Sequence, residues 1–289
     1  MDTQELLRQV RRIEIKTKGL SQHLFSGEYH SAFKGRGMSF SEVRSYQFGD
    51  DVRNIDWNVT ARTNEAYVKV FEEERELTVM LLIDVSASSL FGTSEKSKKA
   101  IITELAAIIA FSAIQNNDKV GVLFFSDKVE RYIAPQKGKK HILMIIRELI
   151  EMKPERKGTQ LKEALKYFNN VIKKRSICFI ISDFDSPEYE NDLRIAKRKH
   201  DVVGIHVYDQ TEREMPNIGL LKSKDPESGE AIWIDTSNSK FRQEYERAFK
   251  ERKERQESQF LKMGASWVDI PTEKPYIQTL LNFFKKRAR

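Results

Sequence analysis

The sequence predicts an α/β fold in which a mainly parallel sheet lies between helix layers. Several stretches are apolar without a break: Val79–Ile83, KVGVLFFS at Lys119–Ser126, ICFIIS ending at Ser182, and DVVGIHVY at Asp201–Tyr208. Unbroken apolar strands are the mark of strands covered on both faces. Segments with helical periodicity separate them, and regular alternation of the two implies parallel pairing through crossover helices. A third observation concerns the end of the first strand, where the greasy run empties into Asp84, Ser86 and Ser88. Ligands of open parallel sheets bind at the carboxyl ends of the strands.

The elements follow in order. Thr78–Asp84 is the first buried strand, and Glu95–Gln115 a helix with Ile101, Leu105, Ile108, Ile109 and Ser112 on one side. Lys119–Ser126 is a strand and Val129–Ile133 a short extended piece. Lys140–Glu151 is an amphipathic helix carrying Ile142, Ile145, Ile146 and Leu149, and Leu161–Lys173 is another. A strand over Ser176–Ser182, a helix over Glu188–Lys199 and a strand over Asp201–Tyr208 complete the regular part. Beyond Asp209 the pattern weakens. Ala231–Ile234 reads as an edge strand paired antiparallel with Ile218–Leu221. Lys240–Met263 is a long charged helix with a docking stripe of Phe241, Tyr245 and Phe249. Ala265–Ile270 is a last strand and Pro275–Lys286 a closing helix.

The first 77 residues are different in kind, and two domains are drawn, 1–77 and 78–289. Thr3–Ile15 reads as a helix. Leu20–Val70 keeps to neither period, which fits a small β-rich cap or a strand extension of the main sheet. Arg36, Arg44, Arg53 and Arg62 stand among Asp50, Asp51, Asp56 and the Glu72–Glu74 run. They read as an ion-pair network fixing an irregular subdomain, or as a docking face. Trp57 is placed in its core. Gly35-Arg36-Gly37 is too short a glycine pattern to assign an anion site.

Composition narrows the function. The 289 residues carry 50 Lys+Arg against 43 Asp+Glu, a net charge of +7. That excess invites nucleic-acid binding, but the basic clusters Lys173–Arg175 and Lys285–Arg289 are short and lack interleaved aromatics. No apolar run approaches the roughly 18 residues that cross a bilayer, and the amino terminus lacks an apolar signal core. The single cysteine, Cys178, sits in an apolar strand as a small core residue. A cytoplasmic location is the expectation. The five histidines have no metal-ligand spacing, and no phosphate-binding G-x-x-x-x-G-K-[ST] or nucleophile-elbow G-x-S-x-G occurs.

The chemistry sits at the strand ends. Asp84, Ser86 and Ser88 offer hard oxygen donors, which suit Mg²⁺ or Mn²⁺ rather than zinc or copper. Thr159 begins a helix in Gly158-Thr159-Gln160-Leu161, where its hydroxyl could cap the helix or face a metal. Asp183 closes its strand as Asp84 closes the first, and Asp185 two positions on reads as a turn former. Taken singly, each has a plainer reading as a capping or turn residue.

Together these five residues, flanked by Asp118–Asp127 and Gly158–Leu165, resemble the metal-ion-dependent adhesion site of von Willebrand factor A-type domains. The narrower match is to the bacterial family known as domain of unknown function 58. It is carried by Gly35-Arg36-Gly37, Arg44, Tyr46, Gly49-Asp50, Arg53, Ile55-Asp56-Trp57, Ala61-Arg62 and Glu72–Glu74, and it spans about Leu20 to Leu280. The resemblance implies a Rossmann-like three-layer domain with a smaller amino-terminal β-rich extension. It also implies a metal held by Ser86 and Ser88 directly, by Thr159 directly or through water, and by Asp84 and Asp183 mostly through water. Such an ion keeps a position for a partner's Asp or Glu carboxylate. The implied protein is not an enzyme; it is an interaction module, an adaptor or chaperone-like partner of a MoxR-type AAA+ ATPase. A metal-assisted hydrolase or phosphatase with Asp84 as nucleophile is the alternative, although Ser86 stands where the haloacid-dehalogenase-type loop wants a second aspartate. A lysine filling the space between the two loops would contradict the metal reading.

Overall fold

The computed structural model describes residues 8, 10–14, 38–63, 65–73, 77–90, 97–154, 158–224 and 231–288. The chain divides into two compact units, one formed by Lys34–Leu77 and one by Met1–Phe33 together with Thr78–Arg289.

In the smaller unit β1 (Met38–Ser45) pairs antiparallel with β2 (Tyr67–Glu73), and a short helix α1 (Trp57–Thr63) lies between them in sequence. Among the described residues the two strands form a sheet of their own and do not extend the main one. The acidic and basic residues pair locally. Arg44 donates both terminal nitrogens to Asp50 at 2.8 Å, Arg53 pairs with Asp51, and Asp56 with Lys69. A unit of this size buries little, and Trp57 is 68% exposed, which corrects its assignment to the core. Glu74 and Gly35-Arg36-Gly37 fall outside the described residues, and of Thr3–Ile15 residues 8 and 10–14 are described as helical.

The larger unit is built on a six-stranded sheet. Its strands are β3 (Thr78–Asp84), β4 (Lys119–Phe125), β5 (Val129–Gln136), β6 (Ile177–Ser182), β7 (Asp201–Tyr208) and β10 (Ser266–Pro271). They stand in the order β10-β7-β6-β3-β4-β5, all parallel except the edge strand β5. The remaining pair, β8 (Leu220–Lys224) and β9 (Ala231–Asp235), is antiparallel as expected but forms a separate two-stranded sheet, not an edge of the main one.

Helices cover both faces. α2 (Lys98–Gln115) begins at Ser97, whose hydroxyl accepts the Ala100 N–H. Its one-sided reading is too narrow. From Ile101 to Ala113 every residue but Glu104 is buried, because the helix lies between the sheet and α3 (Lys139–Glu151). On the other face α4 (Leu161–Val171) and α5 (Glu190–Lys199) pack Leu165, Phe168, Leu193 and Ala196 onto Met80, Leu82, Leu123, Cys178 and Ile180. A short helix α6 (Gln210–Arg213) precedes the long α7 (Ser239–Lys262), and α8 (Tyr276–Ala288) closes the chain. Of the expected α7 stripe, Phe249 is buried, Tyr245 donates its hydroxyl to the Thr211 carbonyl, and Phe241 is half-buried beside Tyr245. This is the three-layer von Willebrand factor A-type architecture.

The strand order places the site. From β3 the chain moves outward through β4 to β5, then crosses back to β6 and moves outward the other way through β7 to β10. The order reverses between β3 and β6, so the loops after these neighbours diverge and leave a crevice at their carboxyl ends. Those are the loops that begin with Asp84 and Asp183.

Candidate metal centre

Parallel register brings Ile83 opposite Ile181, which sets the next residues, Asp84 and Ser182, side by side at the sheet's rim. Asp84 is 2% exposed. Its Oδ1 accepts the Ser86 N–H at 2.9 Å, and its Oδ2 accepts the Ser182 hydroxyl at 2.7 Å. Ser182 Oγ in turn accepts the Phe184 N–H at 2.9 Å, so one hydroxyl ties the two loops together. Ser86 and Ser88 face each other with 3.0 Å between their oxygens. This is the two-residue alternation of an extended stretch turning into the short helical turn Ala87–Leu90. Ser88 also stands near enough to Asp183 to help lower its pKa. Four of the five residues singled out from sequence therefore form one connected cluster.

Thr159 occupies the same rim by a different route. The Gln160 N–H donates to the Ser126 carbonyl at the end of β4, and the Leu161 N–H to the Ser186 hydroxyl in the loop after β6. Ser186, not Thr159, thus supplies the start of α4, and the Thr159 hydroxyl does not cap it. Thr159 is 7% exposed and its Oγ1 has no hydrogen-bond partner among the described residues.

The Asp183 loop is held from the helix side. Phe184 has a backbone φ of +56°, in the left-handed region that bulky residues rarely adopt. Packing of its ring against Phe260 and Trp267, with centroids 5.1 and 4.8 Å away, keeps it there. Gln256 of α7 donates to the Phe184 carbonyl at 2.8 Å. The Asp185 N–H bonds Asp183 Oδ1, and Asp185 itself points outward to Arg252, consistent with a turn role.

Sequence reading missed two charged members. Lys98, at the start of α2, is 1% exposed, and its Nζ lies 3.0 Å from both Asp183 Oδ2 and Glu212 Oε1. Nothing in Ser97-Lys98-Lys99 distinguishes a buried lysine from its neighbour, since only the tertiary fold turns one inward. Glu212 left a signal. Asp209-x-x-Glu212 is a capping box in which Glu212 Oε2 accepts the Asp209 N–H at 2.8 Å, leaving Oε1 for Lys98. A lysine therefore does reach one carboxylate of the rim. The ammonium bridges Asp183 and Glu212, and Asp183 is lowered in pKa by both Lys98 and Ser88.

The electrostatics of the two carboxylates diverge. Burial raises the Asp84 pKa, the Asp183 charge raises it further, and the donors from Ser86 and Ser182 do not fully oppose them. Burial also works on Asp183, but the Lys98 charge and the hydrogen bonds from Ser88, Lys98 and the Asp185 N–H outweigh it and hold that pKa down. Burial would discharge Lys98, and Asp183 and Glu212 together keep it charged, with its pKa raised. Asp84 thus has hydrogen-bond donors but no cationic partner among the described residues, whereas Asp183 has one. A buried carboxylate without a counter-charge is costly. The rim also offers hard neutral oxygens: the Ser86 and Ser88 hydroxyls, 3.0 Å apart, and the Thr159 hydroxyl, unpartnered among the described residues. The donor set fits a divalent ion of the Mg²⁺ type. No cluster of three or more His, Cys, Asp or Glu placed for a metal occurs among the described residues.

A family model described as "Protein of unknown function DUF58" matches residues 42–255, about three quarters of the sequence. The chain belongs to the DUF58 family. Among curated relatives, Uncharacterized protein Rv1480 of Mycobacterium tuberculosis is 27% identical over 292 residues, covering 100% of this chain and 92% of that protein. YeaD of Bacillus subtilis is 29% identical over 110 residues, 38% of this chain and 25% of its own length. Among solved structures, an aerotolerance-related membrane protein from Bacteroides fragilis superposes with a TM-score of 0.50 at 14% identity, covering 73% of this chain and 98% of that one. At that identity the likeness speaks to the fold. In the present DUF58 protein no helix of the described residues is long and apolar enough to cross a membrane.

Proposed function

We propose that this DUF58 protein is a non-catalytic, cytoplasmic interaction module that recognises a partner carboxylate through a divalent cation. The observation that carries the reading is the pairing of Asp84, buried with no counter-cation, with the orphaned Thr159 hydroxyl on the same rim. Ser86, Ser88 and Thr159 would hold Mg²⁺ or Mn²⁺, with Asp84 and Asp183 acting mostly through water. Such an ion, bound mainly by neutral oxygens, supplies a strong electrophile for an Asp or Glu side chain of another protein. The residues around it do the positioning. Ser182 locks the two loops, Phe184 and Gln256 brace the second, and Ser186 anchors the Thr159 turn. A hydrolase with Asp84 as nucleophile is disfavoured by burial and by hydrogen bonds on both carboxylate oxygens. The partner we propose is a MoxR-type AAA+ ATPase, on the strength of family resemblance.

Two measurements test this. Titration calorimetry with Mg²⁺ is expected to give micromolar-to-millimolar affinity, as order of magnitude for a site with few direct carboxylates. Asp84→Ala should abolish it, and equal isotherms for the two proteins would overturn the metal reading. A pulldown from native bacterial lysate should enrich a AAA+ ATPase with Mg²⁺ present and lose it in Ser86→Ala/Ser88→Ala. Absence of any ATPase from the enriched fraction would overturn the partner.

A further inference from the structure

Lys98 is spent on a structural purpose that a surface ion pair could serve more cheaply, unless its position matters. It is 1% exposed, as buried as the core phenylalanines, and its ammonium is brought to Asp183 on the rim. Its second partner, Glu212, is fixed independently by the capping box of α6, so the ammonium is clamped between two anchored carboxylates. The next residue makes the contrast. Lys99 sends its Nζ away to the carbonyls of Ile150 and Met152 at the end of α3, where it serves helix termination. Adjacent lysines of one helix turn thus do different work, and only Lys98 addresses the rim.

From this geometry we propose that Lys98 is a tethered internal cation that shares Asp183 with the bound divalent ion and sets its affinity low. The inference rests on the metal-binding reading of the same rim. A carboxylate oxygen held at 3.0 Å by an ammonium is a poorer acceptor for the waters of a neighbouring ion. The fixed positive charge also opposes a second cation a short distance away in a medium that screens weakly. Asp84, with which Lys98 makes no ion pair, keeps its full attraction for the ion. The arrangement keeps the ion exchangeable, so that a partner carboxylate adds the charge needed to retain it. Occupancy then depends on the partner.

The experiment is Mg²⁺ and Mn²⁺ calorimetry on the full chain for wild type, Lys98→Met, Lys98→Arg and Lys99→Met, with thermal unfolding run on each. Lys98→Met is expected to bind both ions at least about tenfold more tightly. Lys98→Arg, which keeps the charge, should stay near wild type, and so should Lys99→Met, which removes an equal charge one residue away. Equal or weaker binding by Lys98→Met overturns the proposal, as does equal tightening by Lys99→Met, which would reduce the effect to net charge. If Lys98→Met does not fold, Lys98→Gln carries the test with the same expectations, since its amide can donate to both carboxylates without a charge. The two readings separate. Binding by Lys98→Met with none by wild type supports the role of Lys98 and overturns the proposed function of the native chain. Binding by wild type with no gain in Lys98→Met does the reverse. No binding by any variant overturns both.

Discussion

Ser182 Oγ donates to Asp84 Oδ2 across 2.7 Å, and this single contact joins the ends of two neighbouring parallel strands at the point where the sheet's order reverses. The same oxygen accepts the Phe184 N–H, so the hydroxyl both donates and accepts, which fixes its direction. Ser182→Ala removes a donor from a buried carboxylate and an acceptor from a buried N–H. A loss of about 1–3 kcal/mol is expected from leaving such groups unsatisfied. Urea unfolding should show a lower midpoint with an unchanged slope. An unchanged midpoint would mean that Asp84 does not depend on this contact.

Gly204 lies in β7 beneath α7, and a Cβ there would stand 2.7 Å from Phe260 Cε1 and 2.9 Å from Trp267 Cε3. Both rings also brace Phe184, which carries the Asp183 loop. Gly204→Ala should therefore destabilise the protein by about 1–3 kcal/mol through overpacking. If the rings shift to make room, the Asp183 loop shifts with them. Thermal unfolding and metal affinity are then expected to fall together, and a drop in one without the other would separate the packing from the site.

His200 gives a pH dependence that is independent of the metal rim. The ring is buried, 4.6 Å from Phe168 between centroids, and its Nδ1 accepts from the Ser176 N–H, which leaves the proton on Nε2. Burial, with a smaller contribution from Lys199, lowers its pKa from 6.5 to about 4. The unfolded chain therefore binds a proton that the folded one does not across that window. Stability is full above pH 6.5 and falls as the pH drops towards 4, with a slope of at most about 1.4 kcal/mol per pH unit. His200→Gln keeps an acceptor for Ser176 and should flatten the dependence of the urea midpoint between pH 4.5 and 6.5. An equally steep dependence in the variant would assign it to other groups.

The strands of the large unit were legible because continuous apolar runs bounded by polar loops admit few other structures. Thr78–Asp84 and Asp201–Tyr208 stand in the fold with the ends read from sequence. Helix ends moved where capping decided them, as at Ser97, two residues beyond the expected start at Glu95. What the sequence concealed is set by tertiary contacts. Trp57 looks like a core residue by type, but a unit of that size cannot surround it. The α2 residues show a one-sided stripe, yet a helix wedged between layers is buried all round. At the site, Asp84, Ser86, Ser88 and Asp183 were legible because they end strands or follow them at two-residue spacing. Ser182 was hidden because it reads as the last residue of an apolar strand. Lys98 was hidden because burial of a lysine depends on partners 85 and 114 residues away.

Thr159→Val separates the capping role from the metal role. The hydroxyl is buried and makes no hydrogen bond among the described residues, so it contributes no cap there, and its desolvation is uncompensated in the metal-free protein. A residue that capped α4 would cost about 0.5–2 kcal/mol when replaced. Valine has nearly the same shape without the oxygen, so the metal-free protein should be as stable as wild type or more stable by about 1 kcal/mol. Metal binding should change in the opposite sense, with Mg²⁺ affinity reduced and the Mg²⁺-induced rise in melting temperature diminished, because one hard oxygen has left the set. Loss of stability without metal would restore the cap. Unchanged Mg²⁺ affinity would remove Thr159 from the ion's surroundings and leave the other four residues as the site.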